Sequence, residues 1–263
     1  MTHLHILKST TFSLILAAVI GAVTATGANA QSAPAVSAIN GKAAIGGGGF
    51  DDNAFGFAEG SFTTPLSQSF GFQADGLVGV ADDGEFYGAA GHLFWRDPSA
   101  GLLGLYGGVT HVDISRDFTQ YVLAGEGELY MDQVSIETLI GYGTGERIDD
   151  DIVALGNVAF YATDDLRIFG GARYLAEDLH GAAGTEIQLS QGSGAAFFAE
   201  GRYHDSDRWQ AFAGIRFYFG APKSLIRRHR EDDPGTYGTD FLVQPKTGRR
   251  RIEEEREREI FFD

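Results

Sequence analysis

The sequence predicts an all-β chain that folds into a closed antiparallel up-and-down transmembrane β-barrel of about 12 strands, with 10 strands also compatible. Three observations support this fold class: a leader for export, short segments of alternating polarity separated by turn residues, and two groups of aromatic residues at opposite strand ends. Glycine supplies 37 of 263 residues, as close-packed backbones and tight turns require. Cysteine is absent from the sequence, which excludes disulfides and cysteine metal sites.

Residues 1–30 predict a secretory signal peptide. Lys8 precedes an apolar stretch from Phe12 to Val23, and Ala28-Asn29-Ala30 matches the small-residue cleavage pattern. About 12 apolar residues are too few to cross a bilayer as a helix. The alternative is an N-terminal amphipathic helix, but the segment lacks a polar face. We therefore expect the mature chain to start near Gln31.

Residues 31–220 form the predicted barrel domain, in which alternating segments of roughly 9 to 14 residues indicate strands. Asp, Asn, Gly, Pro and Ser dominate the breaks, because these residues form Asx turns or tolerate positive φ. The predicted strands are 39–50, 54–65, 69–81, 85–96, 101–113, 118–130, 133–144, 152–162, 166–176, 181–190, 194–204 and 208–220.

Within each strand, one series of alternate residues is apolar and the other is charged or small. In a membrane barrel the apolar series faces lipid and the charged series faces the lumen. The predicted lumen residues form an ion-pair network because unpaired buried charges are costly. They are Glu59, Asp75, His92, Glu126, Glu128, Glu137, Arg167, Arg173, Glu186, Glu200, Arg202 and Arg216.

Aromatic residues cluster at both ends of the predicted strands, which is typical of the girdles at membrane interfaces. The group at one end is Tyr87, Tyr121, Tyr142, Tyr174, Tyr203 and Trp209, and the group at the other is Phe70, Trp95, Tyr130, Phe160, Tyr161, Phe217 and Phe219. A soluble periplasmic β-domain is the alternative, but it has no physical reason to place aromatic residues in this way.

The stretch 37–220 resembles the β-barrel outer-membrane proteins of Gram-negative bacteria, and "IRFYFG" looks like the aromatic last strand that the barrel-assembly machinery reads in them. The following "KSLIRRHREDDP" is similar to a segment of a small, porin-like and poorly characterised proteobacterial group. The resemblance implies a location in the cell outer membrane, with membrane lipids and the assembly machinery as partners. Unlike the usual pattern, Phe219 is followed by a further 44 residues.

Residues 221–263 predict a charged periplasmic tail, disordered or partly helical, because seven consecutive charged or His residues from Arg227 to Asp233 exclude another strand through lipid. Residues 31–220 carry 9 basic and 26 acidic residues, and the acids concentrate in the predicted outer hairpins. These acids form either a solvated rim or a site for divalent cations that bridge to lipid headgroups. They are Asp51, Asp52, Asp82, Asp83, Asp113, Asp117, Glu146, Asp149, Asp150, Asp151, Glu177, Asp178, Asp205 and Asp207.

The sequence leaves three function classes open. The first is a narrow, cation-preferring, porin-like channel for small solutes. The second is a structural or anchoring protein whose lumen is closed by ion pairs. The third, an outer-membrane hydrolase, has the least support because His92, His111, His180 and His204 lie in no recognisable catalytic motif. We predict no enzyme activity, cofactor, metal centre or nucleic-acid partner.

Overall fold

The computed structural model describes residues 33–50, 53–114, 116–146, 148, 150–175, 178–190, 192–204 and 209–242. The predicted signal peptide and residues 243–263 of the predicted tail lie outside this range. The described residues form 12 strands, one α-helix and one 3-10 helix. The strands are β1 Asn40–Phe50, β2 Asn53–Pro65, β3 Phe70–Ala81, β4 Gly84–Asp97, β5 Gly101–Ile114, β6 Arg116–Met131, β7 Val134–Glu146, β8 Asp151–Thr163, β9 Leu166–Leu175, β10 Asp178–Gln188, β11 Ala195–His204 and β12 Trp209–Phe219.

The strands pair in chain order, and β12 pairs with β1 to close the barrel. This last antiparallel register runs from Gly41 opposite Phe219 to Phe50 opposite Gln210. The predicted fold class is confirmed, and the strand bounds agree within two residues at every end but one. The exception is β10, which begins at Asp178 because residues 178–180 continue the ladder with β9 instead of forming a turn.

The barrel has two ends, which we define by the connections they carry. The near end holds residues 33–39, the turns that follow the even-numbered strands, and the chain as it leaves β12. The far end holds the hairpins that follow the odd-numbered strands. No helix in the described ranges is long and apolar enough to cross a membrane.

The outer surface of the barrel is apolar, as the parity of the sequence predicts. Leu123, Val80 and Ile45 are each at least 60% exposed although they are aliphatic. Aromatic side chains on this surface form one group near the far end, with Tyr87, Tyr121 and Trp209, and another near the near end, with Phe217 and Phe219. An apolar outer band between two aromatic groups is the surface expected of a lipid-facing barrel.

Two predicted girdle residues face the lumen instead. Tyr130 is 6% exposed and Tyr161 is 1% exposed. Tyr161 follows Phe160, and neighbouring strand residues point to opposite faces, so only Phe160 lies on the outer surface. Tyr130 likewise alternates with Leu129 and Met131, which are exposed. The prediction was wrong for both tyrosines because it grouped aromatic residues by position along the strand without applying the parity rule.

The described acidic residues of the far-end hairpins are mostly exposed, among them Asp82, Asp83 and Glu146. Asp178 differs, since it is 2% exposed and lies 3.5 Å from the Nε2 atom of His180 inside the lumen. Its inclusion in β10 turns this side chain inward. The predicted rim residues outside the described ranges are Asp51, Asp52, Asp149, Glu177, Asp205 and Asp207.

The chain after β12 folds back into the barrel. Gly220 has a φ of 125°, which favours glycine, and it redirects the chain after Phe219. Helix α1, Leu225–Glu231, lies at the near end, and the 3-10 helix Gly238–Leu242 lies in the lumen against β3, β4 and β5. We call residues 221–242 the plug segment. The prediction of a charged tail, disordered or partly helical, agrees with helix α1, but these residues do not extend away from the barrel, because Asp233 and Asp240 bind charges of the lumen wall.

Candidate functional site in the barrel lumen

The charged face of the wall lines the lumen. All 12 side chains predicted to face inward do so, because they share one parity along the strands and the closed barrel turns that parity inward. They carry seven carboxylates, four guanidinium groups and one imidazole. The structure adds Lys42 of β1 and Arg96 of β4 to this face, which are 7% and 0% exposed. Both lie on inward parity, so the same rule could have found them.

His92 lies between two carboxylates in the wall formed by β3 to β6. Its Nδ1 atom is 2.8 Å from an oxygen of Glu126 and its Nε2 atom is 2.9 Å from an oxygen of Asp75. The rings of Tyr106 and Tyr237 lie 5.0 Å and 6.0 Å from the imidazole. Tyr237 belongs to the plug segment, so this cluster joins wall and plug.

A second group of ion pairs crosses the closing seam of the barrel. Arg216 of β12 donates to Glu186 at 2.7 Å and to Glu59 at 2.9 Å. Tyr218 donates its hydroxyl to the other oxygen of Glu186 at 2.6 Å. These bonds link β2, β10 and β12, so they stabilise the barrel across the junction between its first and last strands.

A third group lies along β7, β8 and β9. Arg167 donates to both oxygens of Glu137, at 2.7 Å and 2.8 Å, and Asn157 donates to Glu137 at 3.1 Å. Glu128 lies opposite Glu137 in the β6–β7 register and accepts a hydrogen bond from the Tyr130 hydroxyl at 2.7 Å. The predicted pairing of arginine with carboxylate therefore occurs within the wall itself.

The plug segment completes the pairing towards the far end. Arg173 donates to Asp240 at 2.7 Å, and Arg202 lies 3.1 Å from the same carboxylate. Arg202 also donates to Glu200 at 2.6 Å and to the carbonyl oxygen of Thr239 at 2.7 Å. Two guanidinium groups of the wall thus share one carboxylate of the plug, and all three side chains are at most 5% exposed.

The middle of the plug segment is held through Lys42. Its ammonium group forms a salt bridge with Asp233 and donates to the carbonyl oxygen of Pro234 at 2.9 Å. Gln73 donates to the same carbonyl at 3.4 Å. Two acids of the "EDDP" stretch, which in the sequence indicated a charged tail, are therefore paired. Asp233 binds Lys42 of the wall, and Asp232 accepts a hydrogen bond from Lys223 of the plug at 2.5 Å.

Helix α1 covers the near mouth of the lumen. Arg228 donates to Gln188 at 3.0 Å, and Arg230 donates to the carbonyl oxygen of Val134 at 2.9 Å. The guanidinium group of Arg230 also lies 5.1 Å from the ring of Tyr130, within the range of a cation–π contact. Residues 33–39 lie over the same mouth, where the Ser37 amide donates to the Glu231 carbonyl at 2.9 Å.

His229 bridges two tyrosines at this mouth. Its Nδ1 atom is 2.9 Å from the Tyr161 hydroxyl and its Nε2 atom is 2.9 Å from the Tyr218 hydroxyl. Burial, reinforced by the positive charge of Arg167, lowers the pKa of His229 well below its ordinary value. At neutral pH the imidazole is therefore uncharged and accepts one of these bonds while donating the other.

The surface of α1 carries one salt-bridged carboxylate. Arg227 donates to Glu231 at 2.7 Å, and Lys223 lies 3.1 Å from Glu231. Partial burial alone would raise the pKa of Glu231, but the hydrogen bonds from Arg227 and Lys223 outweigh it and lower the pKa. This carboxylate is therefore ionised at neutral pH.

Aromatic side chains fill the far half of the lumen. Phe55 and Phe57 of β2 pack with Phe212 of β12 at ring distances of 6.1 Å and 5.8 Å. Leu242 of the plug segment packs on the same cluster. A cavity of about 120 Å³ lies between the plug and the wall, and Glu59, Glu137, Arg167 and Arg216 contribute to its lining. The lumen is thus divided between an apolar layer, a charged layer and the plug.

No group of three or more His, Asp or Glu side chains in the described ranges is arranged to hold a metal ion. The lumen instead holds ion pairs, such as Arg167 with Glu137 and Arg216 with Glu186. Sequence reasoning missed the plug because its partners are far away in the chain, as with Lys42 and Asp233, which are 191 residues apart.

Together, the fold and the lumen define a β-barrel of the outer-membrane type whose lumen is occupied by its own C-terminal segment. The fold is similar to that of the KdgM porin, with a TM-score of 0.55 and 11% identity over 68% of this chain and 99% of that one. The KdgM porin in complex with disordered oligogalacturonate gives a TM-score of 0.54 and 10% identity over the same shares.

A further structure, from a study of the in-meso crystallisation of membrane proteins, matches with a TM-score of 0.50 and 12% identity over 79% of this chain and 97% of that one. No protein-family model and no curated protein sequence matches this chain. At such low identities the similarity establishes the fold alone.

Proposed function

We propose that this chain is an outer-membrane barrel whose lumen is closed at rest by the plug segment and which conducts small solutes only when that segment leaves. The observation that carries the proposal is the position of Asp240, which is held by Arg173 and Arg202 inside the lumen. Of the function classes left open by the sequence, the closed lumen has the stronger support. A non-catalytic role is part of the proposal.

The proposal also accounts for the arrangement of charge. Ionic contacts bind the plug segment to the wall, at Lys42 and at Arg202. A permanently filled barrel needs only apolar side chains to pack its interior. Ion pairs are replaced by water when the plug leaves, so the open lumen remains a wettable surface. With Asp178, Lys42 and Arg96 included, the wall carries eight carboxylates against six basic side chains, and we expect the open state to prefer cations.

The test is single-channel recording of residues 31–263 in planar bilayers. The wild type is expected to be silent, and Asp240→Lys is expected to open it, because a third cation beside Arg173 and Arg202 repels the plug. We expect conducting events to become at least about tenfold more frequent, as a change of roughly 1.4 kcal/mol in plug binding suffices for this.

Glu146→Lys is the matched control, since it makes the same change of charge at an exposed residue of the far end and should leave the barrel silent. A wild type that conducts as often as Asp240→Lys would contradict the closed resting state. A silent Asp240→Lys barrel whose plug has become accessible to protease would favour the anchoring role instead.

A further inference from the structure

The cavity beside the plug segment is lined by charged side chains of the wall that remain partly accessible. The side chains of Arg167, Glu137 and Glu200 are 12%, 18% and 15% exposed, whereas that of Arg202, which binds Asp240, is 2% exposed. Arg167, Glu137 and Glu200 all line the cavity of about 120 Å³. Because these side chains point into the lumen, their accessible surface is the surface of the cavity, where a second molecule can contact it.

Arg167 carries an unused donor group on this surface. Its Nη2 atom donates to both oxygens of Glu137, and its guanidinium group lies 4.5 Å from the ring of Phe169. Its Nη1 atom donates to no residue in the described ranges, although a guanidinium group has five N–H donors. Arg167 can therefore bind a ligand oxygen while it keeps its salt bridge with Glu137.

Glu200 carries an unused acceptor on the same surface. Its Oε1 atom accepts from Arg202 at 2.6 Å and lies 3.9 Å from Arg173. Its Oε2 atom accepts from no side chain that the structure describes, and a carboxylate oxygen has two acceptor positions. Glu200 lies on β11 and Arg167 on β9, and β10 pairs with both strands. The free donor and the free acceptor therefore lie on either side of one strand.

The lining as a whole is nearly neutral in charge. Seven carboxylates and six basic side chains contribute to it, so a simple anion or a simple cation meets about as many like charges as opposite charges. A molecule with one charge of each sign satisfies both unused groups. The lining also has an apolar part, which accommodates a short apolar stem and consists of Phe57, Phe169, Phe198 and Phe212.

The volume of the cavity limits the size of its ligand. At roughly 10 to 15 Å³ for each water molecule, about 120 Å³ corresponds to on the order of ten water molecules. A ligand that fits therefore has fewer than about ten non-hydrogen atoms. Small amino acids have this size, and they carry a carboxylate and an ammonium group on one carbon atom.

We propose that this cavity binds a compact zwitterion of the amino-acid type, with its carboxylate on Arg167 and its ammonium group on Glu200. Pro234, Gly235 and Thr236 of the plug segment form part of the lining, so the site is complete only while the plug is bound. A ligand of the closed state stabilises that state, and at ten times its Kd it raises the ratio of closed to open barrels about elevenfold. The inference rests on the proposed closed barrel and names the class of solute that keeps it closed.

Isothermal titration calorimetry of residues 31–263 in detergent micelles tests the site with three compounds of similar size. L-Alanine carries both charges, propionate lacks the ammonium group, and ethylammonium lacks the carboxylate. We expect saturable binding of L-alanine and at least about tenfold weaker binding of the other two, because each of them leaves a charged group of the cavity without a partner. Equal heats for the three compounds would overturn the proposal, since a cavity that holds only water does not distinguish them.

The substitution Arg167→Lys locates the binding site. Lysine keeps a positive charge beside Glu137 but offers a single nitrogen atom, so we expect L-alanine to bind at least about tenfold more weakly. Arg227→Lys makes the same change on the exposed surface of α1, outside the cavity, and should leave binding unaltered. Heat-modifiable mobility on gels verifies that both variants form closed barrels. Undiminished binding to Arg167→Lys would overturn the assignment, and the three compounds test the wild type even if this variant does not fold.

Trypsin separates this inference from the proposed function. At ten times its Kd, L-alanine should slow cleavage after Arg228 by up to about elevenfold, whereas propionate at the same concentration should not. An unchanged cleavage rate with bound L-alanine would overturn the coupling between the ligand and the plug. A wild type that binds L-alanine as expected but conducts in planar bilayers would confirm the site and contradict only the closed resting state.

Discussion

Asp240 is the residue on which plug binding depends most. Its carboxylate is 5% exposed and faces two guanidinium groups that are equally buried. Removing one partner from a buried ion pair leaves uncompensated charge, which costs about 3 to 5 kcal/mol, although a complete pair contributes far less than that. A small change at this position should therefore release the plug without altering the wall.

Asp240→Asn is expected to weaken plug binding by about 1 to 3 kcal/mol, because Arg173 and Arg202 lose their shared carboxylate in the plug and keep only Glu200 of the wall. Trypsin measures the effect through cleavage after Arg228, which is 2% exposed while the plug is bound. Asp150→Asn makes the same change at an exposed residue and should leave the digestion rate unaltered. Equal digestion of the two variants would argue against an electrostatic anchor.

His229 should make the stability of the folded barrel depend on pH. The pKa of this group is lowered in the folded state, so its contribution to stability is complete above its unfolded pKa of about 6.5 and is lost as the pH falls towards the folded value. Glu186 lies 3.7 Å from the imidazole, and the other charges that act on it are Arg167, Asp233, Lys42 and Arg216.

We expect the wild-type barrel to lose up to about 1.4 kcal/mol more unfolding free energy per pH unit below about 6.5 than His229→Gln, since the two proteins share every other titrating group. Glutamine retains a donor and an acceptor for Tyr161 and Tyr218 but does not titrate. The measurement is the urea midpoint between pH 7.5 and pH 5.5, a range that lies above the ordinary pKa values of exposed carboxylates. Parallel curves for the two proteins would contradict the assignment.

At the scale of the element, the seam between β1 and β12 depends on glycine. A Cβ atom at Gly48 would lie 1.9 Å from the carbonyl oxygen of Ala211, and one at Gly214 would lie 2.2 Å from that of Ile45. These distances are shorter than a van der Waals contact between carbon and oxygen. Only glycine at these two positions therefore permits the close approach of the two strands. Within the run of four glycines at 46–49 in β1, the close approach of β12 explains the glycine at position 48.

Gly48→Ala is expected to prevent or strain closure of the barrel, with a cost of at least about 1 to 3 kcal/mol, since the clash is with backbone. Heat-modifiable mobility on gels measures closure, and the urea midpoint measures any residual stability. Gly76→Ala is the matched control, because a Cβ atom there meets nothing within 4 Å. If Gly48→Ala folds and migrates like Gly76→Ala, closure of the barrel does not require glycine at position 48.

The strands were predictable because each one carries its own local pattern. Alternation defines the faces and the Asp, Gly and Pro breaks define the ends, so neither requires knowledge of a distant partner. The plug segment has no such pattern. The charges from Arg227 to Asp233 indicate solvent when read locally, and only the barrel shows that Lys42 and Gln188 bind some of these residues. The lumen residues of the wall were predictable, while their partners in the plug were not.

At the scale of the whole molecule, polarity is inverted relative to a soluble protein. Leu123 is 70% exposed on the outer surface, whereas Glu126 of the same strand is 2% exposed in the lumen. Such an arrangement is stable only when an apolar solvent covers the outside. The composition did not reveal this, since 43% apolar residues is ordinary for a soluble chain.

Lipid contact predicts a depth-dependent cost of charge on β6. Leu123→Arg, at the middle of the strand, should lower the unfolding free energy in lipid by about 2 to 4 kcal/mol, and Leu129→Arg, close to the near end, by about 0 to 1 kcal/mol. The two residues share the strand, the outer face and the residue type. Urea titration in vesicles measures both. Equal midpoints would show that the outer surface is not in contact with a bilayer.

The position of the plug segment after β12 has a consequence for biogenesis. The strands of the wall are synthesised before the plug segment, so a barrel that had already closed would have to admit the charged residues of that segment through its near mouth. A ring that closes last avoids that barrier, because the plug first binds the inner face of an open sheet. We therefore expect the strands to assemble around the plug segment, so that β1 pairs with β12 only after that segment has bound the inner face of the sheet.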